Sequence, residues 1–235
     1  MTTLKRDKVG VIMKLYYDGE LLCFSERDLD YMYLSEGTEG IVYRYKRDAL
    51  KVYKEFSCKD RLDEETAKEL TLIKTSRILL PRKLLHNISS KFVGYSTMFL
   101  DKYSHKYISN MKMTDFNEEI SLLCQDCDIL GDRHIDIEDL NSDNMIYDGS
   151  IYICDPGSYK IRREDPISEI KKHNREVMKE YLIESILKSS SKLTRKEKVN
   201  LDNHFMIEDV PIEDILCEEA DPNETVKGYV KRISR

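Results

Sequence analysis

The stretch "DLNSDNMIYDGSIYICDPG", from Asp139 to Gly157, is the part of the sequence on which the prediction of the fold rests. Its middle, "MIYDGSIYIC", consists of two short apolar segments around Asp148-Gly149, which predicts a β-hairpin. Asn144 precedes this hairpin and Asp155 follows it, so strand pairing is expected to bring the two residues together. Acidic residues that bracket a strand pair are rarely there for packing, so the stretch is a candidate functional site.

One interpretation of this stretch is a calcium-binding loop. Oxygen-bearing side chains stand at alternating positions from Asp139 to Asp143, as in an EF-hand loop. However, Asn144 occupies the position that requires a sharp-turning glycine, and Ser150 occupies the position of the bidentate glutamate. The segment after Asn144 also has the pattern of a strand and not of an exit helix, which disfavours an EF-hand.

The sequence on either side predicts an α+β protein with two parts. Residues 1–101 contain β-branched and aromatic segments separated by turn signals such as Asp18-Gly19, together with one helix in "CKDRLDEETAKELTLIKTS". Residues 102–235 have mostly helical patterns, with a helix in "TDFNEEISLLCQDCDIL" and another over residues 167–188. We therefore expect an antiparallel sheet lobe followed by a helical lobe.

A second interpretation of the opening stretch is a phosphoryl-transfer site. Asp139, Asn144 and Asp155-x-Gly157 resemble the catalytic loop and the metal-binding loop of the protein-kinase-like superfamily in residue type and spacing. The resemblance implies a two-lobed kinase-like fold with a reduced helical C-terminal lobe, as in a minimal, atypical bacterial- or viral-type kinase. It also implies that Asp139 accepts the proton of a hydroxyl acceptor, and that Asn144 and Asp155 bind Mg²⁺ beside the phosphates of ATP.

Further matches to this superfamily lie upstream, in the expected order. "LSEGTEGIVYRY" is similar to the second half of a kinase glycine-rich loop, and implies that the backbone of Gly37, Thr38 and Gly40 covers phosphates. "ALKVYK" places Ala49 and Lys51 like the alanine and lysine of the third kinase strand. By this resemblance Lys51 binds phosphates, whereas a lysine in an ordinary strand faces solvent.

The resemblance also implies a partner for Lys51 and an adenine site. Glu69 lies in the predicted helix, and we prefer it to Glu65, one turn earlier, because Leu70 and Ile73 turn its surroundings towards the core. The strand in "YSTMFLDKY" is similar to the one that leads to the kinase hinge. The implied adenine contacts are Val42, Ala49, Phe99, Leu100, Asp101 and Ile146.

The chain departs from the family pattern at several positions. Ile137 and Glu138 replace the His and Arg that precede the catalytic Asp, and Ser35 stands in place of the first glycine of the loop. Pro156 replaces the Phe of D-F-G, which excludes a switch based on that Phe. The segment between Gly157 and the next helix is short, so a platform for peptide substrates is expected to be reduced or rebuilt.

Composition excludes several other classes of protein. A formal net charge of −6 argues against a broad basic surface for nucleic acid. The sequence shows no apolar segment of membrane-spanning length and no signal-peptide pattern, so we expect a cytoplasmic protein without a membrane partner. Cys124 and Cys127 form a C-x-x-C without a second pair nearby, which indicates a helix face more than a zinc site.

The function expected from the sequence is ATP-dependent phosphoryl transfer to a hydroxyl, with ATP and Mg²⁺ as cofactors and a Ser/Thr protein kinase as the leading possibility. The acceptor is not identified by the sequence. Three alternatives stay open: a nucleotide-binding pseudokinase or scaffold, a small-molecule kinase of the same fold, and an α/β binding protein whose aspartates are unrelated to catalysis.

Overall fold

The fold is α+β and divides into two compact units. The computed structural model describes residues 11–54, 61–100, 105–138, 140, 144–189, 194–205 and 221–234. The first unit comprises residues 1–72 and 81–99, and the second comprises residues 73–80 and 100–235. Residues 73–80 were expected in the strand-rich part and instead belong to the second unit.

The described part of the first unit contains one antiparallel sheet and two short helices. The elements are β1 (Val11–Tyr17), β2 (Glu20–Ser25), α1 (Glu26–Met32), β3 (Tyr33–Glu36), β4 (Gly40–Tyr45), β5 (Asp48–Tyr53), α2 (Glu64–Leu70), β6 (Lys83–His86) and β7 (Phe92–Met98). The seven strands have the order β2-β1-β6-β7-β5-β4-β3 and form a curled half-barrel. The predicted antiparallel sheet is therefore confirmed.

Tight turns explain two of the hairpins in this sheet. Asp18 and Gly19 have positive φ values of 54° and 80°, and Tyr17 pairs with Glu20 across this two-residue turn. Lys46 likewise has a φ of 56° where β4 turns into β5. Left-handed backbone at these positions matches the twist of the flanking strands, as the Asp-Gly signal predicts.

The curled sheet encloses an apolar core on its inner face. Alternation along the strands places one set of side chains inside, because successive residues of a strand point to opposite faces. The buried members of this core are Leu15, Tyr17, Phe24, Tyr43, Leu50 and Leu85. Residues at the intervening positions, among them Lys51 on β5, point to the other face of the sheet.

The helix α2 is shorter than the sequence pattern predicts. Its N-cap is Asp63, whose carboxylate accepts a hydrogen bond of 2.8 Å from the backbone N–H of Thr66. Ala67 and Leu70 are fully buried, as expected from their helical spacing. The helix ends at Leu70, before Ile73, where the chain enters the second unit.

The described part of the second unit is mainly helical, with two short strand pairs. Its helices are a 3₁₀ helix (His105–Asn110), α3 (Met113–Gly131), α4 (Ile167–Ser189), α5 (Arg195–Phe205) and α6 (Val226–Ile233). The strand β8 (Ile135–Ile137) pairs with β11 (Tyr159–Ile161), and β9 (Met145–Tyr147) pairs with β10 (Ile151–Ile153). The β9–β10 hairpin and the helix predicted over 167–188 are both confirmed.

The helices α3 and α4 build the core of this unit. Phe116, Ile120, Leu123 and Cys127 of α3 are buried at helical spacing, and Cys127 lies against the backbone of Asn174 on α4. Cys124 is also buried, so the C-x-x-C belongs to the inner face of a helix, as expected. Within the described ranges, no helix has the length and apolar character required to cross a membrane.

Candidate functional site

The turn between β3 and β4 is compact and leaves its first residues exposed. The N–H of Gly37 donates a hydrogen bond of 2.9 Å to the carbonyl oxygen of Gly40, and Gly37 and Thr38 are exposed to solvent. At Gly40 a Cβ atom would lie 2.6 Å from the carbonyl oxygen of Val52, so a larger residue cannot fit there. The second glycine is thus required by the close approach of β4 to β5.

Lys51 on β5 is a buried lysine, with 8% of its surface exposed. Its Nζ lies 2.7 Å from Oε2 of Glu39, a residue of the preceding turn. Buried lysines are rare unless they are paired, so this position is not the solvent-facing lysine of an ordinary strand. Glu39 was not identified from the sequence; the signal for it is a carboxylate in the turn that leads into β4, the strand beside Lys51.

The predicted partner of Lys51 lies on α2. Glu69 is half-buried and Glu65 is exposed, in agreement with the preference for Glu69 as the more enclosed of the two. A Lys51–Glu69 ion pair stays a prediction.

Several of the predicted adenine contacts share one sheet face with Lys51. Val42 pairs directly with Lys51 across β4 and β5, and Ala49 lies two residues earlier on β5. Phe99 follows β7, where its N–H donates to the carbonyl oxygen of Arg47, and the guanidinium of Arg44 lies 4.4 Å from the centre of its ring. Arg44 is on the same face because it pairs with Ala49, and it was not identified from the sequence.

In the second unit, the β9–β10 hairpin brings the two predicted metal ligands together. Asn144 immediately precedes β9, and its carbonyl oxygen accepts a hydrogen bond of 2.9 Å from the N–H of Cys154. Asp155 is the next residue, so it lies beside Asn144 at the open end of the hairpin. Ile146, the last predicted adenine contact, is half-buried on β9.

The backbone of Asp155 has an unusual conformation, with a φ of 64°. A non-glycine residue in the left-handed region costs of order 1 kcal/mol, and such residues concentrate at functional sites. Pro156 and Gly157, which follow, are both buried and hold the chain in place on one side of Asp155.

Asp139 and Asp101 lie outside the residues that the structure describes, whereas the strand before Asp139 lies within them. Asn174 of α4 is fully buried, and its side chain accepts from the N–H of Ile137 at 2.8 Å and donates to the carbonyl oxygen of Ile135 at 2.9 Å. The side-chain amide of Asn174 thus binds both ends of β8, and this strand ends two residues before Asp139.

Glu138 is the neighbour of Asp139. It forms ion pairs with Lys160 on β11 and with Arg162, which directly follows β11. Partial burial by itself raises the pKa of Glu138, but the hydrogen bonds and charges of these two cations outweigh it and hold the pKa of this carboxyl below its ordinary value. The glutamate that replaces the expected Arg therefore ties the end of β8 to the chain that follows Gly157.

Two acidic residues of α3 anchor the surroundings of the hairpin. Asp126 is fully buried and accepts hydrogen bonds from the N–H groups of Ser76, Arg77 and Ile78, at distances between 2.6 and 3.0 Å. Glu119 pairs with the guanidinium of Arg77 and accepts a bond of 3.0 Å from the N–H of Ile151 on β10. Neither residue was identified from the sequence, because charged residues at such helix positions usually face solvent.

The donor set of the hairpin fits Mg²⁺. The part of the chain that the structure describes contains no group of three or more His, Cys, Asp or Glu arranged to hold a metal ion. Asn144 and Asp155 supply one amide and one carboxylate, and Mg²⁺ is commonly held by one or two carboxylates with waters and substrate phosphates.

A scan of the chain against models of known protein families finds no match, and a search of curated proteins finds none either.

Proposed function

We propose that this protein is an ATP-dependent phosphotransferase of the protein-kinase-like superfamily that transfers a phosphoryl group to a hydroxyl acceptor, most closely in the manner of a Ser/Thr kinase. The observation that carries the proposal is the buried Lys51 on β5, on one sheet face with Val42 and Ala49. A buried cation beside small and branched apolar side chains suits a ligand that has both phosphates and a flat base.

The order of the elements supports this proposal. A glycine-containing turn joins β3 to β4, the lysine strand β5 follows, and α2 carries Glu69 before β6 and β7. The hairpin with Asn144 and Asp155 comes later in the chain. This is the order of parts that the resemblance to kinases implies, and β3, β4, β5 and β7 are neighbours in the sheet.

Each part of the chain has a separate task under this proposal. ATP supplies the transferable phosphoryl group, with Mg²⁺ neutralising its negative charge. Lys51 binds phosphate oxygens, Asn144 and Asp155 hold the metal, and Asp139 orients the acceptor hydroxyl and accepts its proton. Positioning and charge neutralisation supply most of the catalysis in such transfers, so no covalent intermediate on the protein is required.

The conformation of Asp155 is a second line of support. Asp155 has a φ of 64° between the end of β10 and the buried Pro156, and non-glycine residues in this left-handed region concentrate at functional sites. The strain of that conformation is retained where the surrounding structure enforces it, as a ligand position requires.

A nucleotide-binding pseudokinase is the second candidate function. The observation that favours it is Glu138, which stands where the resemblance implies an arginine and forms ion pairs with Lys160 and Arg162. A site rebuilt in this way can retain nucleotide binding without phosphoryl transfer.

Thermal melts test the nucleotide site directly. Wild type, Asp155→Asn and Asp148→Asn would be melted with and without ATP and Mg²⁺; Asp148 is an exposed residue of the same hairpin and gives a matched control for the loss of charge. At a ligand concentration of about 100 times Kd, binding contributes about 2.7 kcal/mol, which raises Tm by roughly 5 °C in a chain of this size.

We expect the shift in wild type and Asp148→Asn to require both ATP and Mg²⁺, and to be lost in Asp155→Asn. Absence of a shift in wild type would contradict the proposal, as would a full shift in Asp155→Asn. Labelled-phosphate transfer to serine- and threonine-containing acceptors, compared between wild type and Asp139→Asn, then separates the kinase from the pseudokinase.

A further inference from the structure

The turn over residues 36–40 places a carboxylate on the lysine that the proposed function assigns to phosphates. Lys51 Nζ and Glu39 Oε2 are 2.7 Å apart, and the side chains are 10% and 24% exposed, respectively. The pair lies within the first unit, at the open end of the β4–β5 hairpin. Its geometry is that of a short, charge-assisted hydrogen bond.

The turn is held in this position from its other side by a second lysine. The N–H of Lys54 donates a hydrogen bond of 2.9 Å to the carbonyl oxygen of Glu39, and its Nζ donates one of 2.9 Å to the carbonyl oxygen of Gly37. Lys54 Nζ also lies 2.5 Å from Oε1 of Glu36. The turn thus carries two ion pairs: Glu36 pairs with Lys54, and Glu39 pairs with Lys51.

The two ion pairs differ in their surroundings. The Glu36–Lys54 pair is open to water, with side chains 48% and 36% exposed, so its Coulomb attraction is weak. The Glu39–Lys51 pair is more enclosed, and its ammonium is largely removed from water. An incoming phosphate and the Glu39 carboxylate are both anions, and each is a partner for the same ammonium.

We propose that Glu39 is an internal competitor of nucleotide phosphates for Lys51. In the nucleotide-free protein the carboxylate neutralises Lys51, and a triphosphate must displace it in order to bind. The inference rests on the proposed function, because it assigns a regulatory role within the same site. The affinity for nucleotide is then set by how firmly the turn 36–40 holds Glu39 on Lys51.

Binding measurements on a matched set of variants test this competition. Glu39→Gln removes the competing charge, and Glu39→Asp keeps the charge but shortens the side chain by one methylene. Glu36→Gln is the control, because it removes the same charge from the same turn but from the pair with Lys54. Calorimetric titration with Mg²⁺-ATP and with adenosine, which has no phosphates, gives the two affinities for each variant.

We expect Glu39→Gln to bind Mg²⁺-ATP about tenfold more tightly than wild type, which corresponds to about 1.4 kcal/mol. Glu39→Asp should show a smaller gain of the same sign, and Glu36→Gln should stay within about twofold of wild type, because exposed ion pairs contribute little. Adenosine should bind all four proteins equally, since it presents no anion to Lys51.

Three results would overturn the inference while leaving the proposed function intact. Equal ATP affinity in wild type and Glu39→Gln would show no competition. An equal gain in Glu39→Gln and Glu36→Gln would show a general effect of net charge. Weaker binding in Glu39→Gln would show that Glu39 assists binding, for example as a metal ligand. If no variant binds ATP, the proposed function and this inference both fail.

Discussion

The candidate residues of the first unit and those of the second unit are held in place by different forces. In the first unit, Lys51, Val42 and Ala49 share a face because of the register of β4 and β5. In the second unit, two buried side chains of α3 hold neighbouring segments: Asp126 binds the N–H groups of residues 76–78, and Glu119 binds the N–H of Ile151 in the β9–β10 hairpin. A sheet aligns residues through its backbone, whereas segments with little regular structure need side chains to satisfy their N–H groups.

This difference predicts which kinds of substitution each unit tolerates. The first unit depends on close approach between strands, so added volume should damage it most. The second unit depends on buried carboxylates and an amide, so loss of a hydrogen-bonding group should damage it most. Substitutions in the two units therefore test the comparison directly.

The largest effect is expected from Asp126→Ala in the second unit. It removes a fully buried carboxylate and leaves the N–H groups of residues 76–78 without this acceptor, which we expect to lower the free energy of unfolding by about 4 kcal/mol. The control is Asp128→Ala on the same helix, which breaks a more exposed pair with Arg175 and should cost about 1 kcal/mol or less. Urea denaturation measures both, and equal losses would contradict the anchoring role.

The next largest effect is expected from Gly94→Ala in the first unit. Gly94 has a φ of +149°, and an added Cβ would lie 2.0 Å from the carbonyl oxygen of Lys51, so β7 and β5 must separate. We expect a loss of about 3 kcal/mol in the free energy of unfolding. Gly37→Ala is the matched control, since its Cβ meets nothing within 4 Å. Similar stabilities of the two variants would show that strand approach does not limit this unit.

A smaller effect, dependent on pH, is expected at Tyr17 inside the curled sheet. Burial is the larger cause, and the hydrogen bond to Asp48 is the second; together they raise the pKa of Tyr17 from 10.0 to about 12. Because the folded-state pKa is the higher one, the stabilisation is fully present below pH 10 and is lost as pH rises towards 12. Tyr17→Phe should cost about 1 kcal/mol at neutral pH.

The same variant should also lose less stability than wild type between pH 10 and 12, because it has no phenol to ionise at that position. Tyr16→Phe, on the exposed face of the same strand, is the control and should follow wild type. Thermal melts across this pH range measure the difference. Parallel curves for wild type and Tyr17→Phe would exclude Tyr17 as the titrating group.

Local patterns predicted many of the elements correctly. The Asp18-Gly19 turn, the β9–β10 hairpin, the buried stripe of α3 and the extent of α4 each depend on neighbouring residues, which the sequence displays directly. The predicted end of α2 was wrong because Ile73 continues the apolar spacing of the helix. In the structure the helix ends at Leu70, and Ile73 already belongs to the second unit.

Long-range pairings could not be predicted in the same way. Asp126 and Asn174 have the polar character of exposed helix residues, and their burial depends on N–H and carbonyl groups 37 to 50 positions away in the chain. Glu39 is nearer to Lys51 in sequence, yet its pairing depends on the conformation of the turn that carries it.

The sequence by itself determined the α+β class and the principal hairpins, because side-chain periodicity and turn chemistry are local properties, and its resemblance to kinases singled out Lys51, Asn144 and Asp155 as candidate residues. Tertiary structure alone decided that Lys51 is buried, that it pairs with Glu39, and that the side chains of Asp126 and Asn174 bond to distant backbone groups. The physical reason is that the cost of burying a charge or an amide depends on partners brought close by the fold, which no local pattern specifies.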